Sequence, residues 1–274
     1  MVADAAPRPL RPTLAELRAT AQPPEVRQRA NAEHWTAGLY LRHISIYLTA
    51  LLVRTRITPN GVTALMILSG WGIAAALLWP GWPGAVLAVV LANLQMLLDC
   101  CDGEVARWRR MASPGGVFYD RIGHYTTEGL VGLAIGLRAY GDLTGLRTAD
   151  GWIWAACGAA LAWLIVLNKA QNDLVIVARA LNDLPRLPDT AAAKAIPTTS
   201  VIGKLRRVAR VVPFYRLFHS VELSIVSLVA TLVSLVVGRP LLGEQWAAGL
   251  LLALIVLTNI GHFVAVLASP RLRR

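Results

Sequence analysis

Apolar runs dominate this chain. Six stretches, 61–79, 84–102, 117–137, 152–178, 220–237 and 246–268, are each predominantly apolar and about 20 residues long. That length lets a helix cross a hydrocarbon layer about 30 Å thick. Gly- and Pro-rich punctuation separates them: "PGWPG" after the first, "YGDLTGLRTADG" after the third, "GRPLLGEQ" before the last. The pattern predicts an all-α, polytopic membrane protein with six transmembrane helices in a domain over 33–268. Within that domain, residues 33–56, "EHWTAGLYLRHISIYLTALLVRTR", mix aromatic, aliphatic and basic positions. They predict an amphipathic helix lying in the cytoplasmic interface. Trp35, Leu39, Ile46 and Leu48 would lie on lipid, and Arg42, Arg54 and Arg56 at head groups. A packed cytoplasmic helix is the alternative. Residues 1–32 are polar, Arg-rich over 10–30 and broken by Pro23-Pro24, which predicts a loosely ordered tail and no secretory signal. Residues 269–274 form a basic C-terminus, and no internal repeat is visible.

Composition agrees with this and adds orientation. The 274 residues are 55% hydrophobic and 16% charged, with a formal net charge of +11. In so apolar a chain the excess charge reads as positive-inside loops and anionic head groups, not nucleic acid. With the N-terminus in the cytoplasm, the external loops hold only Arg138, Arg147 and Arg239. The other 24 of the 27 basic residues fall in cytoplasmic segments or, for Lys169, in a span. The expected location is therefore integral and multi-pass, in a membrane of bacterial type, with both termini cytoplasmic. Cys100, Cys101 and Cys157 form no CxxC pair and read as small apolar fillers, with neither disulfide nor zinc expected.

Chemistry concentrates in "LLDCCDGEVARWRRMASPGGVFYDRIGH", residues 97–124, at the cytoplasmic turn between the second and third runs. Asp99, Asp102 and Ala106 fall on one helix face, as do Asp120 and His124 on the next helix. "SPGG" between them reads as a turn that lets the chain approach a ligand. Three carboxylates brought together repel one another, and a hard divalent cation such as Mg²⁺, Mn²⁺ or Ca²⁺ relieves that. Arg107 adds a fork for phosphate, while Gly103 and Gly116 clear room for a nucleotide or pyrophosphate. Helix-end charges solvated by the cytoplasm are the plain alternative for any one aspartate.

Asp99-x2-Asp102-Gly103-x2-Ala106-Arg107-x8-Gly116-x3-Asp120 resembles the signature D-x2-D-G-x2-A-R-x8-G-x3-D-x3-D of the CDP-alcohol phosphotransferase (CDP-alcohol phosphatidyltransferase) family. Seven of its eight fixed positions match with the right gaps. "ITPNGVT", ending at Thr63, is similar to the TPN-x-x-T stretch that opens the family's first transmembrane helix. The resemblance implies a transferase that takes a CDP-linked donor, such as CDP-diacylglycerol, and an alcohol or phosphorylated alcohol acceptor. The acceptor hydroxyl attacks the β-phosphorus and CMP leaves. It further implies two Mg²⁺ or Mn²⁺ ions, or one, held by Asp99, Asp102 and Asp120. Asn60, Thr63, Asp102, Gly103, Ala106, Arg107 and Gly116 would line the donor site. A homodimer is also implied.

The chain departs from the signature at its last position, where the family has an aspartate serving as general base and metal ligand. His124 stands there. Three readings follow. His124 is the base, since an unperturbed imidazole titrates near ~6.5, with Glu128 one turn on orienting the ring. Or His124 is a structural substitute, and chemistry proceeds with one metal or with Glu128 standing in. Or the protein binds CDP-alcohols with little turnover. If His124 ligates metal, Mn²⁺ suits it better than Mg²⁺. In "LNKAQNDLVIVARAL", Asn168, Lys169, Gln171, Asn172 and Asp173 are polar groups inside a span, so they are acceptor-site candidates. A Lys169–Asp173 pair is the structural alternative. Arg210 and Arg216 read as head-group contacts or as a site for a phosphorylated acceptor, and His219 and Glu222 as interfacial. A cation-binding or transport protein is the rival of another class. It would place acidic residues at mid-membrane on several helices rather than at one edge beside Gly103 and Arg107.

Overall fold

A computed structural model describes residues 8–27, 35–141, 148–185, 216–268 and 272. "KLRRVAR" and Arg210 lie outside the described residues. All regular structure among the described residues is helical. The helices are α1 (Leu14–Ala21), α2 (Pro24–Arg27), α3 (Ala37–Leu41 continuing as Arg42–Leu52), α4 (Pro59–Leu78), α5 (Gly81–Arg109), α6 (Pro114–Tyr140), α7 (Ala149–Ala180), α8 (Ser220–Val237) and α9 (Leu242–Ala268).

Five of the six expected spans, α4, α5, α7, α8 and α9, are long and apolar enough to cross a membrane. The remaining one differs. α6 has 27 residues, about 40 Å at 1.5 Å each, but Asp120, Arg121, His124, Glu128 and Arg138 interrupt its apolar run. Length qualifies it and composition does not.

The chain divides into two compact units. One contains the residues before Gly70 together with Asn93–His124; the other contains Gly70–Ala92 and the residues from Tyr125 onward. The first unit carries the signature residues. Its core joins Leu17 and Ala21 of α1, Ile46 and Ala50 of α3, and Val105 and Trp108 of α5. A neighbouring cluster packs Val62, Met66 and Ile67 of α4 on Leu98 and Cys101 of α5.

Two expectations change here. Residues 14–21 are a helix and not a loose tail. Thr13 and Glu16 close a capping box, which satisfies two otherwise orphaned N–H groups, and Leu17 and Ala21 are fully buried. The backbone N–H of Thr13, and then its hydroxyl, also hold the exposed Glu16 carboxyl below its ordinary pKa. In α3, Ile46 faces the core rather than lipid, and Leu48 packs on the α4–α5 cluster. Arg42 pairs with Glu104 at 3.4 Å instead of reaching for head groups. The exposed apolar stripe is Trp35, Leu39, Ile44, Tyr47 and Leu51.

Local chemistry shapes the α5–α6 turn. α5 ends with Arg110 in the left-handed region (φ 57°), and Met111 N–H donates to the Ala106 carbonyl at 2.9 Å. α6 starts from Ser113, whose hydroxyl accepts from Gly116 N–H at 3.1 Å, with Pro114 as the first helical residue. "SPGG" is thus a helix start and not the turn itself. Arg109 reaches back from α5 to the carbonyls of Leu52, Val53, Thr55 and Ile57, which fixes the linker that delivers Asn60 and Thr63.

In the second unit α6 and α7 cross closely at Gly136 and Gly158. A Cβ on Gly136 would come within 2.3 Å of the Gly158 Cα. Arg138, read from sequence as an external-loop cation, is instead buried in the last turns of α6. It donates to the carbonyls of Leu77, Trp79 and Gly81 and to the Thr231 hydroxyl. The Leu77 and Trp79 carbonyls lie at and just beyond the C-terminal end of α4, where no helical N–H remains to satisfy them, and Gly81 opens α5.

Candidate active site

α5 supplies Asp99 and Asp102 to the first unit, and the first turns of α6 supply Gly116, Asp120 and His124. His124 Nε2 lies 3.0 Å from Asp99 Oδ1 and 3.5 Å from Asp120 Oδ1. One donor atom from each of these three residues falls within 4.8 Å of the others. Asp120 Oδ1 is buried and has no hydrogen-bond partner. A buried carboxylate oxygen without a donor is costly, so two carboxylates and an imidazole, one oxygen orphaned, fit a divalent cation. The hard oxygens suit Mg²⁺ or Mn²⁺, and the nitrogen favours Mn²⁺.

Asp102 stands apart from that group of three. Its Oδ2 accepts from the Thr63 hydroxyl at 2.7 Å. The same hydroxyl is 3.2 Å from the Pro59 carbonyl, and its single proton goes to the nearer acceptor. This bond ties the "TPNGVT" segment to the signature helix. The same segment also comes close to α6: a Cβ on Gly116 would lie 3.4 Å from Asn60 Oδ1. Gly103 leaves space for Arg107, whose Nη1 would be 3.1 Å from a Cβ there. Arg107 Nε donates to the Ala21 carbonyl at 2.6 Å. Ala106 is half-buried in the last turn of α5.

The family profile for CDP-alcohol phosphatidyltransferases matches residues 56–237, about two thirds of the chain. This chain belongs to the CDP-alcohol phosphatidyltransferase family. It is an integral, multi-pass membrane protein and a transferase of substituted phosphate groups. Membership in the family implies transfer of a phospho-alcohol group from a CDP-linked donor to an alcohol, with a divalent metal. No curated protein matches the chain at a significant level.

Elsewhere the polar residues pair differently from expectation. Glu128, expected to orient the His124 ring, has its partners within the second unit. It is 1% exposed, with Oε2 2.8 Å from Lys169 Nζ and Oε1 3.2 Å from His219 Nδ1. A carboxylate buried in an apolar helix needs such partners, Lys169 being the counter-charge. Lys169 therefore answers Glu128, and Asp173 accepts from the Tyr125 hydroxyl at 3.1 Å. Gln171 donates to Asn259 at 2.9 Å, Asn168 lies 3.5 Å from His262 Nδ1, and Asn172 is exposed. Arg216 is half-buried just before α8.

Sequence reading missed two residues of the first unit. Arg109 holds the linker before Asn60. Glu104 is fully buried and accepts from Ser45 at 2.6 Å, Thr49 at 2.7 Å and Gln22 at 2.8 Å. The available signal was a charged residue on the back of a helix whose front carries the aspartates: Glu104 lies two positions, about 200°, from Asp102.

Proposed function

We propose that this protein transfers a phosphatidyl or related phospho-alcohol group from a CDP-linked donor, CDP-diacylglycerol being the first choice, to an alcohol acceptor, releasing CMP. The observation that carries the reading is His124 Nε2 standing between Asp99 and Asp120, where the family signature has its last aspartate. The imidazole takes the place of that carboxylate and stays in reach of the same cluster.

The residues divide the work as follows. Asp99 and Asp120 would hold the divalent ion, Mg²⁺ or Mn²⁺, with Asp102 as a further ligand where a second ion binds, which leaves the His124 Nε2 lone pair free for a proton. A cation bound there offsets charge on the donor pyrophosphate and on the departing CMP. Arg107, beside Gly103, meets donor phosphate as a planar fork, and Asn60, Thr63, Ala106 and Gly116 line the donor. His124 accepts the proton of the attacking hydroxyl at Nε2. Asp99 and Asp120 then stabilise the imidazolium, since both carboxylates already lie within ion-pair range of that nitrogen. Lys169, Asn172, Arg210 and Arg216 are acceptor candidates; Lys169 carries its own counter-charge in Glu128.

The chain crosses the membrane with six helices, α6 being the polar one, and α3 lies in the interface on its exposed stripe. The active site faces the cytoplasm and the protein works as a homodimer.

The test is CMP release by the purified full chain from CDP-diacylglycerol, with Mg²⁺ or Mn²⁺, across a panel of free and phosphorylated alcohols. Metal-dependent release with one acceptor supports the reading and names the acceptor. The second reading, a CDP-alcohol binder with little turnover, is favoured by the same His124. It predicts metal-dependent CMP binding without release for any acceptor.

A further inference from the structure

The family match begins at residue 56, yet residues well before it touch the signature helix at three points. Arg8 Nη1 donates to the Arg107 carbonyl at 2.8 Å and to the Trp108 carbonyl at 2.9 Å, and its guanidinium lies over the Trp108 ring, 5.2 Å from the centroid. The Ala21 carbonyl, at the end of α1, takes the Arg107 Nε proton. Gln22, the next residue and the cap of α1, is 5% exposed. Its amide nitrogen has two protons and two partners at 2.8 Å: the Arg42 carbonyl on α3 and Glu104 Oε1 on α5.

These contacts have one geometric effect. Arg107 carries a long side chain with several rotatable bonds. Its Nε is pinned at Ala21, and its Nη atoms lie against Gly103. The pin holds only while the end of α1 keeps its place. Gln22 fixes that place through Glu104, one turn before Arg107 on the same helix. Leu17 and Ala21, both fully buried, anchor the rest of α1 against Val105 and Trp108. The backbone of α1 thus orients a signature side chain that the signature alone leaves free to rotate.

We propose that the segment Arg8–Gln22 is a positioning device for Arg107, and that Gln22 is the positioning residue through which it acts. This rests on the reading of Arg107 as a donor-phosphate residue. Pre-ordering a flexible arginine lowers the entropic cost that the ligand would otherwise meet on binding. Loss of the pin therefore weakens the nucleotide and leaves the chemical step alone.

The experiment measures CMP binding to the full chain in detergent with Mn²⁺ present, by calorimetry, for the parent, Gln22→Ala, Arg107→Ala and the double variant. Donor KM and kcat are measured on the same proteins. Immobilising one such side chain is worth about three- to tenfold in affinity, so Gln22→Ala weakens CMP by about that factor. It raises donor KM equally and leaves kcat within about twofold. The double variant binds no more weakly than Arg107→Ala, because the two residues act in series. Full additivity of the two effects overturns the proposal, as does a fall in kcat at unchanged KM. If Arg107→Ala leaves CMP binding unchanged, the donor-site reading of Arg107 falls and the proposal falls with it. If Gln22→Ala does not fold, Arg8→Ala takes its place in the same cycle, with Arg8→Lys expected to restore most of the affinity.

Discussion

Replacing Glu104 with alanine is the sharpest test of how the signature helix is held. The side chain is fully buried, and its two oxygens meet Ser45 at 2.6 Å, Thr49 at 2.7 Å, Gln22 at 2.8 Å and Arg42 at 3.4 Å. Every partner except Arg42 is uncharged, so the carboxylate is dissolved in hydrogen bonds more than in an ion pair. Removing one partner of a buried pair typically costs 3–5 kcal/mol, because the other group is left without compensation. The Arg42 side chain is 15% exposed and retains access to water, which places the expected loss near the lower limit, about 3 kcal/mol. Glu104→Gln keeps the shape but sets an amide donor against neighbours that all donate, and one of them must turn. That costs roughly 1 kcal/mol. Reversible unfolding of the purified protein in one fixed detergent gives both numbers. Thr13→Ala, which removes only the cap of α1, should lose about 1 kcal/mol and serves as a scale. A Glu104→Ala protein within about 0.5 kcal/mol of the parent, the range of an ordinary surface change, would refute the idea that this carboxylate joins α1, α3 and α5.

Four further outcomes follow from the same geometry. Asp99→Asn and Asp120→Asn should each abolish CMP release and weaken Mn²⁺ binding; full activity in either removes that residue from the metal site. His124→Ala should lose most of the rate while His124→Asp, which restores the signature, retains activity; an alanine variant with normal turnover takes His124 out of the mechanism. Gly136→Ala should destabilise the fold by about 3 kcal/mol or more, because its methyl would meet backbone of α7 at 2.3 Å, and a folded variant with an unchanged unfolding midpoint would contradict that crossing. Lys169→Met should cost roughly 3–5 kcal/mol by stranding buried Glu128, and adding Glu128→Leu should recover most of it; the absence of recovery would mean that Lys169 serves something other than Glu128.

Much of the site was readable from spacing. Residues three or four apart on a helix share a face whatever the surroundings, so Asp99 with Asp102, and Asp120 with His124, could be placed without coordinates. The apolar runs were legible for an equally general reason, since lipid admits little else. α6 escaped that rule because its polar residues are answered inside the protein: Glu128 by Lys169 and His219, Arg138 by three carbonyls. Partners of that kind come from other helices, and no periodicity within one helix reveals them.

The sequence by itself therefore determined the class of protein, the faces of the two signature helices and the family to which they belong. Each is a consequence of local repeat and local composition. The tertiary structure alone decided that His124 answers Asp99 on the neighbouring helix, that Glu128 pairs with Lys169, that Thr63 binds Asp102, and that α1 lies against Trp108 with its last carbonyl on Arg107. Those pairings join residues 25 or more positions apart. They are chosen by which buried charge would otherwise go unanswered, a quantity that exists only once the chain is packed.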